Sequence, residues 1–407
     1  MKPFDAIIVT NSAGELSTFV RPTVEELSKS APEARVILTF TPCQYATGRE
    51  LEEARKLPGI SEIIIPEEYK KWVFKKKAPQ GIKFNDRGII VYMGGDLLHA
   101  VLLSRKLHFP AIAYSQKHAL WQSDFNSFLV PDDLTFNKFL KKGIDEEKIK
   151  IIGDLMVDAV PEKINVKAAA SRWKINKNHP VISFLPGSRP WQTNFMLPFF
   201  LRSAKMINKI MPDVQFIVVL SPYVTDDMIK ESLGNEGIIY SQGDLRYIQA
   251  ESGVRAQILR DERYDAISIS DLVITIPGTN TAEIGALGVP MIVVFPIQRP
   301  DNIPLEGIID IICRIPLLGT LLKRITTRII SLRTKYFALP NMKAGREIVP
   351  EIRGNVDPKE VAAHAIKCLK DPEWLRETSR NLKAAMGGRG AARKISGEIM
   401  ASVENAE

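Results

Sequence analysis

The chain has few cysteines to staple it and no apolar run long enough to carry it through a bilayer. Its 407 residues include three cysteines, Cys43, Cys313 and Cys368. They lie far apart and without CxxC spacing, which argues against a disulfide framework or a zinc site and fits a reducing cytosol. No stretch reaches the roughly 20 uninterrupted apolar residues of a membrane span. The first residues, MKPFDAIIVTNSAGE, run straight into a strand without the apolar core of a signal peptide, so a cytoplasmic protein is expected. Zinc-finger spacing and RNA-recognition runs are absent, and no nucleic-acid partner is expected. His99, His108, His118, His179 and His364 are scattered, which leaves no metal site and no Ser/His/Asp set to expect. There is neither a clear internal repeat nor a low-complexity tract.

What is present describes a globular protein. Hydrophobic residues make up 45% and charged residues 25% of the chain, and this length favours two domains. The formal net charge of +8 draws the molecule toward an anionic partner such as lipid headgroups or a phosphorylated substrate.

Strand and helix patterns alternate. Strands are expected at Phe4 to Thr10, Arg35 to Phe40, Glu62 to Ile65, Gly88 to Met93, Pro110 to Tyr114, Ser127 to Val130 and Lys148 to Ile152. Helices are expected at Pro22 to Ser30 and Asp132 to Lys142, with a charged amphipathic segment near Ala46 to Lys56. Polar sequence from Pro161 to Asn178 separates the halves. The pattern then restarts with Val181 to Leu185, a helix Phe195 to Met211 and a strand Gln215 to Leu220. Asp357 and Asp371 read as N-caps of helices Pro358 to Lys370 and Pro372 to Met386. The expected class is α/β, two Rossmann-like domains facing across a cleft: 1–160, then 161–356, with C-terminal helices in 357–407 packing back.

Four clusters could carry chemistry. Ile269 to Pro296 reads as strand, turn, helix and strand, and Gly278, Thr279, Asn280 and Thr281 form the turn. Such a turn offers backbone N–H groups and a helix N-terminus to a diphosphate, with Glu283 one turn inside to accept from ribose hydroxyls; an ordinary capped crossover explains it equally. Leu185-Pro-Gly-Ser-Arg189 follows the first strand of the second half. Gly187 and Ser188 would make its turn, and Arg189 suits a diphosphate by paired hydrogen bonds; a solvated arginine is the plain alternative. Leu339 to Glu351 is a polar loop with apolar flanks, in which Asn341 and Arg346 could bind base, sugar or phosphate, or simply be exposed. Tyr92-Met-Gly-Gly-Asp96 ends an apolar strand. Asp96 there could act as general base, or cap the helix Leu97 to Leu107. His99, one turn on, reads as structural.

The segment Ile303 to Lys335 differs in kind. Leu321, Leu322, Ile325 and Ile329 recur at helical spacing, opposite Lys323, Arg324 and Arg328. Pro316 and Gly319 break it. The pattern is that of an interfacial helix on an anionic membrane, though a buried amphipathic helix has the same spacing.

Together LPGSR, SDLVITIPGTNTAEIGALGVPMIVV and LPNMKAGREIVPE resemble the lipid-A-disaccharide synthase family, in order and at suitable separations. The resemblance spans the chain and is sharper in the second half. It implies the GT-B fold and an inverting, metal-independent glycosyltransferase. Such an enzyme moves a diacylated glucosamine from a UDP donor to the 6-hydroxyl of an acylated glucosamine 1-phosphate, at the inner membrane face. It implies UDP-pocket roles for Arg189, Thr279, Glu283, Asn341 and Arg346, and a catalytic base at Asp96. UDP-sugar is then a substrate rather than a cofactor, and the acceptor is lipid-linked. The departures concentrate in the first half. Gly14-Glu-Leu-Ser-Thr-Phe19 lacks the Gly-Asp that ends the family's N-terminal loop. Ala113-Tyr-Ser-Gln-Lys-His118 replaces an aromatic strand, and Gln192 stands where an acidic residue follows the GSR turn. Two other readings share these features: a soluble UDP-sugar epimerase of the same fold, and a lipid- or nucleotide-binding protein without chemistry. A related transferase with another lipid acceptor is a variant of the first.

Overall fold

The computed structural model describes residues 2–43, 50–75, 77–187, 189–221, 224–260, 262–296 and 334–405. Ser188 and nearly all of the apolar–basic segment 303–335 therefore lie outside the described residues. The chain divides into two compact units, Met1–Ala159 with Gly387–Glu407, and Val160–Met386.

The first unit is built on β1 (Phe4–Thr10), β2 (Ala34–Phe40), β3 (Ile60–Ile64), β4 (Gly88–Tyr92), β5 (Ala111–Tyr114), β6 (Ser127–Val130) and β7 (Ile149–Ile151). These pair in the order β3-β2-β1-β4-β5-β6-β7, all in parallel. β1 shows why FDAIIVT is a strand with no polar face. Phe4, Ala6 and Ile8 pack into one apolar cluster and Ile7 and Val9 into another on the opposite side. A parallel strand covered on both faces needs a continuous apolar run. The helix Ala391–Glu404 belongs to this unit. Asp158 caps it from far along the chain, accepting from the N–H groups of Gly390 at 2.9 Å and Ala392 at 2.6 Å.

The second unit contains β8 (Val181–Leu185), β9 (Gln215–Val219), β10 (Gly237–Gln242), β11 (Leu245–Ala250), β12 (Arg255–Leu259), β13 (Leu272–Thr275), β14 (Met291–Pro296) and β15 (Glu351–Gly354). Their order is β10-β11-β12-β9-β8-β13-β14-β15. The sheet is parallel except at one edge, where β11 runs antiparallel to both its neighbours, β10 and β12. The helix after β8 begins at Pro190 and runs to Ile210, earlier than its apolar spacing suggests. Proline at the first helical position needs no N–H partner there. The polar stretch between the halves holds a helix of its own, Val166–Arg172, capped by Asn165.

Both sheets contain a topological switch point. In the first, the chain lays β2 and β3 to one side of β1 and returns to β4 on the other. In the second, it does the same around β8 and β13. The carboxyl ends of such strand pairs splay apart, and that is where open α/β sheets hold ligands.

Candidate functional site

The polar clusters gather at the two switch points. In the second unit, LPGSR leaves β8 and PGTNT leaves β13, and β13 pairs directly with β8. Thr275 ties the two ends by donating from its hydroxyl to the Leu185 carbonyl at 3.3 Å, and the Asn280 amide donates in turn to the Thr275 hydroxyl. Thr281 donates to the Gly278 carbonyl at 2.8 Å and accepts the Leu339 N–H at 3.1 Å. Through these bonds the structure brings LPGSR, GTNTAE and the start of LPNMKAGRE to one place.

Gly187 and Arg189 form the turn after β8. Gly187 has φ +113°, and a Cβ there would press on the Gln192 side chain, so a larger residue is doubly disfavoured. Arg189 is the extended residue before the helix, and Gln192 Oε1 accepts its N–H at 3.1 Å. Gln192 thus reaches back from the third helical position as a capping glutamate does. The turn after β13 is closed by the N–H groups of Thr281 and Ala282, which reach the carbonyls of Gly278 at 3.1 Å and Thr279 at 3.0 Å. Its helix, Asn280–Leu287, packs so closely on Pro340 and Met386 that a Cβ on Gly285 would lie 2.8 Å from the proline ring.

Two of the expected ligand residues are heavily engaged. Glu283 is 4% exposed, and its Oε1 accepts from Arg263 at 2.6 Å and Tyr264 at 2.7 Å. Asn341 is fully buried. Its amide donates to the Val349 carbonyl and Glu351, and its oxygen accepts the N–H groups of Ile348 at 2.7 Å and Val349 at 3.0 Å. Every hydrogen-bonding position of that amide is taken. Arg346 is exposed and bonds to Asn381 at 3.2 Å, away from the hydrogen bonds that join the two turns.

Glu351, which sequence reasoning passed over, is the clasp of this loop. Its side chain is 2% exposed. It accepts the N–H groups of Phe337 and Ala338, the Asn341 amide and the Arg353 guanidinium, all between 2.6 and 3.0 Å. Arg353 is stacked 4.8 Å over the Phe337 ring. Without this network the ends of the 337–351 turn would present buried donors with no partner.

The first unit's cluster forms where β1 and β4 end. Asp96 is exposed and caps the helix Leu97–Leu107, with Oδ1 accepting the Leu98 N–H at 2.9 Å. Gly95 before it has φ +87°, and its carbonyl accepts the Tyr92 hydroxyl at 2.7 Å. A Cβ on Gly94 would overlap the Glu15 carboxylate. Glu15 ends the short helix Ala13–Glu15 that follows β1, and it is held by Thr10 and the Asn11 N–H at 3.4 Å each. Burial pushes its pKa above the ordinary carboxylate value, opposed by hydrogen bonds from Asn11, Ser12, Gly95 and Thr10. Sequence reasoning did not single out Glu15, although the retained Gly14-Glu15 pair could have signalled it. His99 sits one turn beyond Asp96, its Nδ1 2.7 Å from the Tyr69 hydroxyl. In the departing segment Ala113 to His118, the Tyr114 hydroxyl turns inward to Asp154 and accepts the Leu155 N–H at 3.2 Å.

Among the described residues no group of three His, Cys, Asp or Glu side chains is placed to hold a metal ion. No described helix is long and apolar enough to cross a membrane.

A family model described as lipid-A-disaccharide synthetase matches residues 136–311. That span includes the two turns but neither Asp96 nor the 339–351 loop. The lipid-A-disaccharide synthase of Geobacter sulfurreducens is 25% identical over 256 residues, 62% of this chain and 56% of that protein. The match thus spans little more than half of that relative's length. The synthase of Sulfurihydrogenibium sp. is 23% identical over 401 residues, 94% of this chain and 95% of the relative. Among solved structures, the UDP-GlcNAc 2-epimerase of Neisseria meningitidis bound to UDP-GlcNAc superposes with a TM-score of 0.60. It is 12% identical and covers 98% of this chain and 100% of that one. Anabaena HepE in complex with UDP gives 0.52 at 13% identity, with 100% of both chains covered. At such identities the likeness establishes the α/β, GT-B-like fold and nothing finer.

Proposed function

We propose that this chain, a divergent relative of the lipid-A-disaccharide synthases, is a glycosyltransferase that takes an acylated glucosamine from a UDP donor. The acceptor is a lipid-linked sugar at the inner face of the membrane. The observation that carries the reading is the hydrogen-bonded union of LPGSR, GTNTAE and the 339 loop at the β8/β13 switch point.

In this reading the UDP diphosphate lies across Gly187, Ser188 and Arg189 and the N–H groups of Gly278, Thr279 and Asn280, ahead of those already used by Thr281 and Ala282. Glu283 receives the ribose, oriented by Arg263 and Tyr264. Asn341 acts by holding the 339–351 loop in shape, and Arg346 lines its outer rim. Asp96 keeps one oxygen on its helix cap and takes the acceptor hydroxyl proton with the other. The freed oxygen attacks the anomeric carbon from the face opposite UDP, and the carbon–oxygen bond to UDP breaks with inversion. The negative charge that leaves on UDP is met by Arg189 and the turn's backbone donors. The segment 303–335, together with the net charge of +8, holds the protein peripherally on an anionic membrane.

The test is UDP release by the purified chain with UDP-diacylglucosamine and acylated glucosamine 1-phosphate in detergent micelles. Turnover that is lost in Asp96→Ala supports the reading. UDP binding with no turnover on this pair sinks the assigned acceptor.

A further inference from the structure

The helix Leu97–Leu107 begins with two polar groups three residues apart, Asp96 and His99, a spacing that sets them on neighbouring positions of one face. Behind His99 stands Tyr69 from the helix Pro66–Lys75, its hydroxyl 2.7 Å from His99 Nδ1 and its ring edge-on at a centroid distance of 5.1 Å. Tyr69 is fully buried, whereas His99 is half-buried.

The direction of that bond follows from the environment. Burial, and then the charge of Asp96, push the Tyr69 phenol far above its ordinary value, so it keeps its proton throughout the neutral range. A buried hydroxyl proton requires an acceptor, and among the described residues Nδ1 of His99 is the one within reach. Burial also lowers the His99 pKa, against the opposing charge of Asp96, so the ring is neutral at pH 7. A neutral imidazole that accepts at Nδ1 carries its own proton on Nε2. Asp96, at the head of the same helix, is the charge that acts on the ring, and Tyr69 stands behind it.

We propose that Tyr69 locks His99 as the Nε2–H tautomer, and that this N–H binds an uncharged oxygen of the acceptor, a hydroxyl or acyl carbonyl, beside Asp96. The proposal rests on the reading of Asp96 as the base. His99 is then an acceptor-binding residue, and Tyr69 a positioning residue that acts through it. A neutral donor next to a carboxylate suits a sugar oxygen and disfavours a second anion, so the acceptor's phosphate is directed elsewhere. The tautomer matters because the alternative would present a bare nitrogen lone pair to the acceptor and leave the Tyr69 proton without a partner.

The experiment uses the full chain labelled with 15N-histidine, with the five histidines distinguished by His99→Gln. Long-range 15N–1H spectra at pH 7.5 should show His99 with a protonated Nε2 and a bare Nδ1. In Tyr69→Phe, confirmed as folded by its melting curve, both nitrogens should move toward averaged values. Micelles of acylated glucosamine 1-phosphate should shift the Nε2 signal, and empty micelles should not. In the UDP-release assay, His99→Ala should raise the acceptor KM about five- to tenfold, the loss of one neutral hydrogen bond. The donor KM should hold, and His99→Gln, which keeps an N–H donor, should recover most of the loss. A protonated Nδ1, spectra unmoved by Tyr69→Phe, or an acceptor that leaves Nε2 unshifted would each overturn the proposal. Absence of UDP release from the wild type would instead sink the transferase reading, while the tautomer and acceptor spectra still decide the role of His99.

Discussion

Thr281 accepts the backbone N–H of Leu339 at 3.1 Å, joining two segments 58 residues apart into one rigid piece. The same hydroxyl donates to the Gly278 carbonyl, so one oxygen fixes both the Gly278 turn and the loop packed on it. Thr281→Val keeps the shape and removes both bonds, leaving the Leu339 N–H without this partner. It should cost about 1–3 kcal/mol in denaturant unfolding and weaken UDP binding by calorimetry, whereas Thr281→Ser should retain both properties.

Arg189 is assigned to the diphosphate through charge-assisted bonds. Arg189→Ala should weaken UDP binding by about ten- to a hundredfold, as the loss of hydrogen bonds to a charged group of about 1.5–3 kcal/mol implies. Arg346→Ala, whose side chain is exposed and tied to Asn381, should change UDP affinity much less. Equal losses in the two variants would show that the loop's outer rim reaches the nucleotide as closely as the turn does.

Glu351 gathers the N–H groups of Phe337 and Ala338, the Asn341 amide and the Arg353 guanidinium. Glu351→Ala should destabilise the second unit by about 2–4 kcal/mol, below the usual cost of breaking a buried ion pair because Arg353 is partly exposed. The readout is the urea midpoint. An unchanged midpoint would mean that water replaces the carboxylate without loss.

Glu15 gives a prediction in pH. The unfolded chain titrates this group near its ordinary 4.5, and burial raises it in the fold. Between those two values the native state holds the proton more tightly. Stability therefore falls as pH rises through that window, and above it the full cost of a buried carboxylate persists. Glu15→Gln should melt about 2–4 °C above wild type at pH 7.5, and the difference should shrink toward zero below pH 4.5. A constant difference across that range would mean that the fold does not raise the Glu15 pKa.

Much of the scaffold was legible because its signals are local. FDAIIVT and VISFL are strands buried on both faces, and their mainly apolar composition, without alternation, says so. Asp96 marks the start of Leu97–Leu107 because an N-cap needs only its own two neighbours. The antiparallel edge was missed although Gly243-Asp244 between Gln242 and Leu245 is a two-residue hairpin signal. Its strand β10 is only half-buried and shows no clean alternation. The helix Ala391–Glu404 takes its cap from Asp158 rather than from its own sequence, which no local pattern can reveal.

The site divides along the same line. The glycines and Arg189 could be placed from their turns alone. The engagement of Asn341 and Glu283 could not, because it depends on Glu351, Arg263 and Tyr264, which meet them only in the fold. His99 looked like an isolated helical histidine until Tyr69, 30 residues away, came to lie behind it.

The most direct test of the central claim follows the donor in deuterated water with and without acceptor. Glycosyl transfer breaks the anomeric carbon–oxygen bond and leaves the hydrogen at C2 in place. Epimerisation at C2 must break that carbon–hydrogen bond. The account predicts UDP and an inverted disaccharide by NMR, formed only when acylated glucosamine 1-phosphate is present, with no deuterium at C2. Deuterium entering C2 of the UDP-sugar, with the acceptor unconsumed, would contradict it.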